Sequence, residues 1–326
     1  MYVKSIDKDI PALWMEDGIV KMIDQRVLPQ ELKFHTTETA EETSAAIRDM
    51  VVRGAPAIGA AGAYAMAQAW IARDNMENAA QVVSSARPTA RDLFTAVEDM
   101  SAIWKDGGDV ASAARTYVEG VVEMCRRIGE HGSALIDEDA RILTHCNAGA
   151  LATVDWGTAL APMRMAKRQG RSMFVWVDET RPWMQGSRLT AWELYQEDID
   201  HAIIADNAAG YYMQRGEVDM VIVGADRVAV NGDFANKIGT YEKAVVAKEN
   251  DIPFYVAVPE TTIDRNMVCG ENISIEERDP GEVLEIFDKR IANPGSGARN
   301  PVFDVTPSRY VMGYITEYGV VKQIPH

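Results

Sequence analysis

The sequence contains few cysteines, and none is spaced from another as in a redox or zinc site. Its 326 residues include three cysteines, Cys125, Cys146 and Cys269, and five histidines. An odd number of cysteines without a C-x-x-C pair argues against a disulfide framework and fits a reducing compartment. No H-E-x-x-H motif is present, and the adjacent His145 and Cys146 would point to opposite faces of a strand. We therefore expect neither disulfides nor a bound metal.

Long apolar runs and an excess of positive charge are also missing. No stretch reaches the roughly 18–20 apolar residues that a membrane helix needs, and the first residues lack the apolar core of a signal peptide. The net charge of −16 repels nucleic acid phosphates over most of the surface. We expect a cytoplasmic protein without membrane or nucleic-acid partners, in which an anionic substrate needs a local group of cations and N–H donors.

The pattern of predicted secondary structure changes near residue 140. Before this point the pattern predicts a hairpin over 13–22, a strand over 32–35 and a capping box at 39–42, followed by helices to about residue 130. After it, short apolar strands alternate with helices, which predicts a parallel sheet covered on both faces. The predicted strands are 141–145, 172–177, 200–205, 220–223 and 253–257, and the helices between them include 189–196, 207–214 and 241–249.

Polar residues follow the ends of four of these strands. In open α/β sheets the ligand lies outside the carboxyl ends of the strands. Exposed loops are often polar, but exposure alone explains poorly a cysteine and several carboxylates at matching places. We expect one shared site to which four segments contribute, namely Cys146-Asn147, Asp178-Glu179, Asp206-Asn207 and Asp226-Arg227.

Two of these residues are candidate reagents. Cys146 lies at a strand-to-helix turn, where the helix N-terminus would favour a thiolate for proton transfer or nucleophilic attack. The alternative is a buried, inert cysteine. Asp226 follows the apolar run 221–223, so desolvation should raise its proton affinity toward that of a general acid or base near neutral pH. The alternative is an ion pair between Asp226 and Arg227.

Several segments offer donors for an anion, although there is no Walker lysine and no G-x-G-x-x-G. Arg53, Gly54 and Ala55 precede a helix, and the first N–H groups of this helix with Arg53 would form a phosphate nest. An ordinary helix connection with a surface arginine is the alternative. Arg87 lies on a rigid turn, where a solvated charge is the simpler reading. Gln185 can reach a ligand hydroxyl, and the segment Asn236-Lys237 begins another helix at which an anion could bind.

With no Ser-His-Asp set and no carboxylate cage, this inventory suits acid–base chemistry on a phosphorylated, hydroxylated small molecule. The chain resembles the methylthioribose-1-phosphate isomerases, whose superfamily includes ribose-1,5-bisphosphate isomerases and regulatory subunits of translation initiation factor 2B. The motifs that carry the resemblance run from end to end: RGAPAIG at 53–59, RPT at 87–89, THCNAG at 144–149, DETRP at 178–182, VGADR at 223–227, NKIGTY at 236–241 and FDVTP at 303–307.

The resemblance implies an α/β fold in which a smaller, mainly helical N-terminal domain with short strands (1–132) precedes a Rossmann-like catalytic domain (133–326). It implies a homodimer that needs no metal or other cofactor. Cys146 and Asp226 would be the catalytic pair. The substrate contacts would be Arg53, Gly54, Ala55, Arg87, Gln185, Asn236 and Lys237.

The implied reaction is an aldose–ketose isomerisation, an intramolecular oxidoreduction of methionine salvage. It converts 5-methylthio-α-D-ribose 1-phosphate to 5-methylthio-D-ribulose 1-phosphate. Asp226 would protonate the ring oxygen O4, and hydrogen would move from C2 to C1 either as a proton through Cys146 or as a hydride in a dry pocket. Trp156, Trp183 and Phe234 are bulky for the family, and we expect them to shape the pocket near the sugar C5.

Other functions remain as alternatives. A 5-deoxyribose 1-phosphate is a second candidate substrate, and ribose 1,5-bisphosphate is a weaker one because it needs a second phosphate nest. A non-catalytic regulatory subunit would not need both Cys146 and Asp226.

Overall fold

The computed structural model describes residues 1–88, 90–287 and 289–324. Thr89, the last residue of the RPT motif, lies outside the described residues. No helix in the described part of the chain is long and apolar enough to cross a membrane.

The first 133 residues fold into short strands followed by five helices. The predicted hairpin is confirmed as an antiparallel pair whose second strand also pairs with the third strand of a small sheet. The strands are β1 (Tyr2–Val3), β2 (Lys8–Asp9), β3 (Leu13–Glu16), β4 (Ile19–Ile23) and β5 (Phe34–Thr37); the helices are α1 (Ala40–Arg48), α2 (Ala55–Ala72), α3 (Met76–Ser85), α4 (Arg91–Lys105) and α5 (Val110–Ser133).

Helix α1 begins where the capping box predicts, with one difference in its hydrogen bonds. The Thr39 hydroxyl accepts the N–H of Glu42, which satisfies one of the free donors of the first turn. The Glu42 carboxylate accepts the N–H of Glu38 rather than that of Thr39. Helix α2 is buried on every side from Ala57 to Ala69, because its alanines and glycines let the neighbouring helices approach closely.

The second part is built on a seven-stranded sheet. The five predicted strands are confirmed within two residues at each end, and they lie next to one another in parallel. The strands are β6 (Ala140–Thr144), β7 (Met173–Asp178), β8 (Asp200–Ile204), β9 (Met220–Val223), β10 (Arg227–Ala229), β11 (Phe234–Lys237), β12 (Phe254–Ala257), β13 (Ile263–Asp264), β14 (Glu285–Ile286), β15 (Lys289–Arg290), β16 (Phe303–Thr306), β17 (Gly313–Thr316) and β18 (Gly319–Val321).

Helices pack against this sheet on both faces, as the alternation predicts. They are α6 (Ala150–Thr153), α7 (Leu160–Arg168), α8 (Ala191–Gln196), α9 (Ala209–Gln214), α10 (Thr240–Glu249) and α11 (Gly281–Leu284). The sheet order is β18-β17-β12-β9-β6-β7-β8, with only β18 antiparallel to its neighbour. The predicted α/β class is therefore confirmed, while the boundary between residues 132 and 133 stays a prediction. Helix α5 crosses this position and packs on both α2 and α7.

A second, four-stranded sheet has the order β13-β10-β11-β16 and was not expected. It corrects the prediction that Asn236 and Lys237 begin a helix. Both residues belong to β11 and pair with Asp304 and Phe303 of β16, while the helix begins at Thr240. The ladder occupies the backbone here, so Asn236 and Lys237 can offer a ligand their side chains rather than a helix N-terminus.

Candidate active site

One pocket opens at the carboxyl ends of β6 and β9, between the sheet and the first turn of α2. All nine residues predicted to form the site line this pocket. They are Arg53, Gly54, Ala55, Arg87, Cys146, Gln185, Asp226, Asn236 and Lys237. The sequence therefore predicted correctly which residues come together, although they arise from six separate segments of the chain.

Cys146 is held by its backbone in a conformation that few non-glycine residues adopt. Its φ is 64°, in the left-handed region. Its N–H donates to Thr180 Oγ1 at 2.9 Å, and its carbonyl accepts the Thr190 hydroxyl at 2.6 Å. These two bonds fix the turn after β6, so the Cys146 side chain is aimed by the loops that follow β7.

The expectation that a helix N-terminus favours a Cys146 thiolate is wrong. The following helix α6 has only four residues, and the N–H groups of Ala150 and Leu151 donate to the Glu193 carboxylate. Burial raises the pKa of the Cys146 thiol, against the opposing effect of the nearby Lys237 and Arg53 charges. The free site therefore favours the neutral thiol.

Asp226 has the raised proton affinity expected of it. Burial raises the pKa of its carboxyl, although the charges of Lys237, Arg53 and Arg87 act in the opposite direction. The alternative of a simple pair with Arg227 is not favoured, because the Arg227 guanidinium lies 3.8 Å from the Asp264 carboxylate. Asp226 is thus a half-buried acid that faces the pocket beside three cations.

Two cations of the pocket, Arg53 and Lys237, are themselves buried, and Arg87 is half-buried. Lys237 has 7 % of its surface exposed, and its Nζ lies 4.8 Å from the centre of the Phe303 ring. Burial lowers the pKa of the Lys237 ammonium, while the nearby Cys146 and Asp226 counteract this effect. Burial and the neighbouring Arg278 lower the pKa of the Arg87 guanidinium. An anion in this pocket would relieve the mutual repulsion of these groups.

Gln185 supplies an acceptor that no described residue satisfies. Its Oε1 is buried without a hydrogen-bond partner, and the residue lines the pocket. Such an atom costs about 1–3 kcal/mol unless a ligand or water donates to it. The following residue, Gly186, starts a π-helical turn, and a Cβ there would lie 1.6 Å from the carbonyl oxygen of Asp178. Only glycine allows this approach, which places Gln185 over the site.

Two of the four strand-end segments do not reach the pocket, contrary to expectation. Asp178 is buried behind it, 2.9 Å from His145 Nδ1 and 3.6 Å from Lys243 Nζ. The Asp206 carboxylate accepts the N–H groups of Thr180 and Arg181 at 2.6 and 2.7 Å. These carboxylates build the loop whose Thr180 holds Cys146, so their role here is structural.

The group His145, Asp178 and Asp206 has the spacing of a metal site, with ligand atoms within 4.8 Å of one another. Most of its ligand atoms are already engaged, although Asp178 Oδ1 is buried without a hydrogen-bond partner among the described residues. His145 Nε2 lies 2.8 Å from the Ile238 carbonyl, its Nδ1 faces Asp178, and both Asp206 oxygens accept N–H groups. A metal ion here would have to displace these bonds.

The three bulky aromatic residues do not shape the pocket, so that expectation is wrong. Trp156 stacks on Arg168 at 4.3 Å, and Trp183 stacks on Arg188 at 4.5 Å. Phe234 is fully buried, 6.4 Å from the ring of Phe254. The sequence analysis missed Arg278, which lines the pocket and forms an ion pair with Glu282. Nothing in the spacing around Arg278 indicated a site.

A second cavity of about 440 Å³ joins the pocket. We call it the side chamber. It shares Gly54, Ala55, Arg87, Asp226 and Phe303 with the pocket, and its apolar wall consists of Ile58, Ala90, Phe94 and Ile273. Acidic and basic groups, including Arg91 and Glu276, also line it. The chamber therefore adds an apolar surface to the half-buried acid Asp226.

Known proteins resemble this chain over nearly its whole length. The signature of the initiation factor 2 subunit family matches residues 51–323. A methylthioribose-1-phosphate isomerase of Roseiflexus castenholzii is 48 % identical over 95 % of this chain and 94 % of that protein.

Two solved structures share the whole fold. A 5-methylthioribose 1-phosphate isomerase from Pyrococcus horikoshii OT3 superimposes with a TM-score of 0.91 at 41 % identity, covering 98 % of this chain and 95 % of that one. A structure described as translation initiation factor eIF-2B, subunit delta, from A. fulgidus gives 0.85 at 42 % identity, covering 96 % of each chain.

Proposed function

This chain belongs to the initiation factor 2 subunit family, and we propose that it is the isomerase that converts 5-methylthio-α-D-ribose 1-phosphate to 5-methylthio-D-ribulose 1-phosphate in methionine salvage. One observation carries the proposal. One pocket is lined by the thiol of Cys146, the carboxyl group of Asp226 and the three cations Arg53, Arg87 and Lys237. A regulatory subunit that binds without reacting has no need for this half-buried acid beside a thiol.

The substrate phosphate binds on the cationic side of the pocket. Lys237 and Arg53 supply positive charge, and the turn at Gly54 and Ala55 brings backbone close to the ligand. The Gln185 Oε1 atom accepts a sugar hydroxyl, which gives this buried acceptor its partner. Binding thereby places the sugar ring between Cys146 and Asp226.

Asp226 acts as the general acid that opens the ring. The C1 phosphate blocks ordinary hemiacetal opening, so the C1–O4 bond breaks as Asp226 delivers its proton to O4. The raised pKa keeps this proton available at a higher pH than an ordinary carboxyl would. The pocket that excludes water protects the cationic carbon until hydrogen arrives from C2.

Hydrogen then moves from C2 to C1 at the Cys146 side of the site. The C2 hydroxyl releases its proton as the C2 carbonyl forms, and this proton replaces, through water, the one that Asp226 delivered to O4. A substrate that carries deuterium at C2 distinguishes the two routes. Transfer as a proton through the Cys146 sulfur exchanges the label with water, whereas a direct hydride shift retains deuterium at C1 of the ketose. Because the thiol is favoured over the thiolate here, we expect retention of most of the label.

The side chamber supports a substrate with an apolar group at C5. C5 is two bonds from O4, and Asp226, which protonates O4, lies at the opening of the chamber. The methylthio group therefore packs against Ile58, Phe94 and Ile273. Burial of such a group is worth about 1–3 kcal/mol, so kcat/KM for 5-deoxyribose 1-phosphate should be roughly 10–200-fold lower. Ribose 1,5-bisphosphate would bring a charge into this apolar wall and should react more slowly still.

The proposal is tested by following the purified protein and substrate by NMR. Wild-type protein should form the ketose 1-phosphate, and Cys146→Ser and Asp226→Asn should each lower kcat by about 10²–10⁴-fold. The matched controls are Cys269→Ser and Asp251→Asn, which change residues outside the pocket and should retain wild-type rates. Turnover that is absent in the wild type, or undiminished in both site variants, would refute the proposal.

We propose the remaining properties on the same basis. The enzyme forms a homodimer in the cytoplasm, binds no nucleic acid, needs no metal or other cofactor, and consists of domains 1–132 and 133–326. The net charge of −16 supports the absence of nucleic-acid binding. Light scattering of the purified chain tests the dimer, and activity after dialysis against a chelator tests the metal.

A further inference from the structure

Behind the pocket, buried polar groups form a closed ring of hydrogen bonds. Its four side chains are those of Gln25, Arg53, Asn147 and Glu193, and each has at most 8 % of its surface exposed. The peptide groups of Leu151 complete the ring. Gln25 and Arg53 come from the N-terminal part of the chain, whereas the other members follow β6 or lie in α8. The ring therefore joins the two parts of the chain directly beneath Cys146.

Each bond of the ring is defined. Arg53 Nε donates to Gln25 Oε1 at 3.2 Å, and Gln25 Nε2 donates to the Leu151 carbonyl at 2.7 Å. The Leu151 N–H donates to Glu193 Oε1 at 3.2 Å, as does Asn147 Nδ2 at 2.9 Å. The Asn147 carbonyl accepts Arg53 Nη1 and Nη2 at 3.0 and 2.9 Å, and Asn147 Oδ1 also accepts Nη2.

The ring uses most of the donors of Arg53. A guanidinium carries five N–H groups in a fixed plane. The bonds to Gln25 and Asn147 engage the Nε proton, one Nη1 proton and the two Nη2 protons. One Nη1 proton remains, and Arg53 lines the pocket. The ring thus fixes the direction in which Arg53 presents its last donor and its charge.

The orientation of the Asn147 side-chain amide determines the direction in which Arg53 presents this last donor. The oxygen and nitrogen ends of an amide are similar in shape, so the hydrogen-bond partners decide which end points where. The Glu193 carboxylate can only accept, so it draws the Asn147 NH₂ group toward itself. Asn147 Oδ1 must then face Arg53. Glu193 also accepts the Ala150 N–H at 2.7 Å, which fixes the carboxylate itself.

We propose that Glu193 is a positioning residue, which acts through Asn147 to aim Arg53 at the substrate phosphate. This proposal rests on the proposed function insofar as Arg53 binds the phosphate. Glu193 does not line the pocket and touches no substrate. In Glu193→Met both accepting oxygens are lost, and the Asn147 NH₂ group keeps only Thr190 Oγ1, at 3.2 Å, as an acceptor. The Asn147 amide would then be held less firmly, and Arg53 would lose its alignment.

The test uses two variants from opposite sides of the ring and one matched control. Glu193→Met removes the Glu193 acceptor for Asn147, and Gln25→Met removes the acceptor for Arg53 Nε. Both should raise KM for the sugar phosphate by about tenfold or more, with a smaller change in kcat. Glu197→Met on the same segment removes a buried partner of Arg164 outside the ring and should leave KM unchanged.

A second readout does not depend on turnover. The affinity for inorganic phosphate, measured by calorimetry, should fall by about tenfold in Glu193→Met and Gln25→Met and stay at the wild-type value in Glu197→Met. A merely structural role would lower the active fraction, and hence kcat, without changing KM or phosphate affinity. That result, or an equal loss in Glu197→Met, would overturn the proposal. A wild type that binds phosphate without isomerising the sugar would instead count against the proposed function alone.

Discussion

The turn at Gly54 offers a sharp test of how the fold builds the anion site. Gly54 has a φ of +95°, and a Cβ on it would lie 2.5 Å from both the Cα and the carbonyl oxygen of Ala152. Alanine in the left-handed region costs about 1–2 kcal/mol. Forcing atoms into a packed contact costs about 1–3 kcal/mol more. We therefore expect Gly54→Ala to lower the free energy of unfolding by about 2–5 kcal/mol.

Gly170→Ala separates the two contributions. Gly170 has a φ of +87°, but a Cβ there would meet no atom within 4 Å. This variant should show only the backbone cost of about 1–2 kcal/mol. Any stabilisation through the unfolded chain is common to both changes and cancels in the comparison. The difference between the variants, about 1–3 kcal/mol, reports the close packing against Ala152 together with the unusual ψ of 134° at Gly54.

The assay is equilibrium unfolding in urea with kcat/KM measured on the same samples. Gly54→Ala should also raise KM, because relief of the contact moves Arg53 and Ala55 away from the pocket. Gly170→Ala should retain the wild-type KM. Equal losses of stability in the two variants, or an unchanged KM in Gly54→Ala, would refute this account of the turn.

Three further outcomes follow from buried charges. Activity that needs protonated Asp226 should persist above the pH range of an ordinary carboxyl and fall as pH rises through its raised pKa; a kcat/KM profile still rising above about pH 8 would contradict this role. Burial raises the pKa of Asp92 from 3.8 to about 7, so the folded state binds a proton that the unfolded state releases, and stability falls as pH rises between these values. Asp92→Asn should therefore add up to about 4 kcal/mol to the free energy of unfolding near pH 8 and little near pH 4, and an equal gain at both would speak against it. Lys243→Met should cost about 3–5 kcal/mol because it strips buried Asp178 of a cation, whereas the exposed Lys248→Met on the same helix should cost less than about 0.5 kcal/mol in the same urea assay.

The sequence predicted five of the seven strands of the main sheet, because these five carry a strong signal, and missed β17 and β18. Five apolar runs of four to six residues alternate with helices, and each lies where expected. The second sheet could not be predicted, because strands such as β10 and β13 have only three and two residues. Their pairing depends on partners that are distant in the chain, as in the ladder between β11 and β16. The local periodicity of the sequence does not indicate which distant strands pair.

The sequence predicted which residues line the candidate site better than it predicted their protonation and their roles. Cys146 and Asp226 were indicated by their places after predicted strands, together with the family resemblance, and both line the pocket. The sequence favoured a Cys146 thiolate at the N-terminus of α6. The N–H groups of α6 instead donate to the Glu193 carboxylate, which comes from a helix distant in the chain. Asp178 was expected to reach the shared site from its place after β7, but its partners His145 and Lys243 show a buried structural charge. Residue type and position cannot distinguish these cases until the neighbours are known.

The hairpin of β10 and β11 has a consequence for motion within the site. Arg227 pairs with Ala235, so Asp226 and Asn236 lie at the same end of the hairpin, next to Lys237. The Asp226 N–H also donates to the Ala235 carbonyl at 2.9 Å. The proton donor and two of the proposed substrate contacts therefore share one hairpin, whereas Cys146 follows β6 of the main sheet. A displacement of one sheet relative to the other would change the distance between Cys146 and Asp226 and would leave Asp226, Asn236 and Lys237 in fixed register.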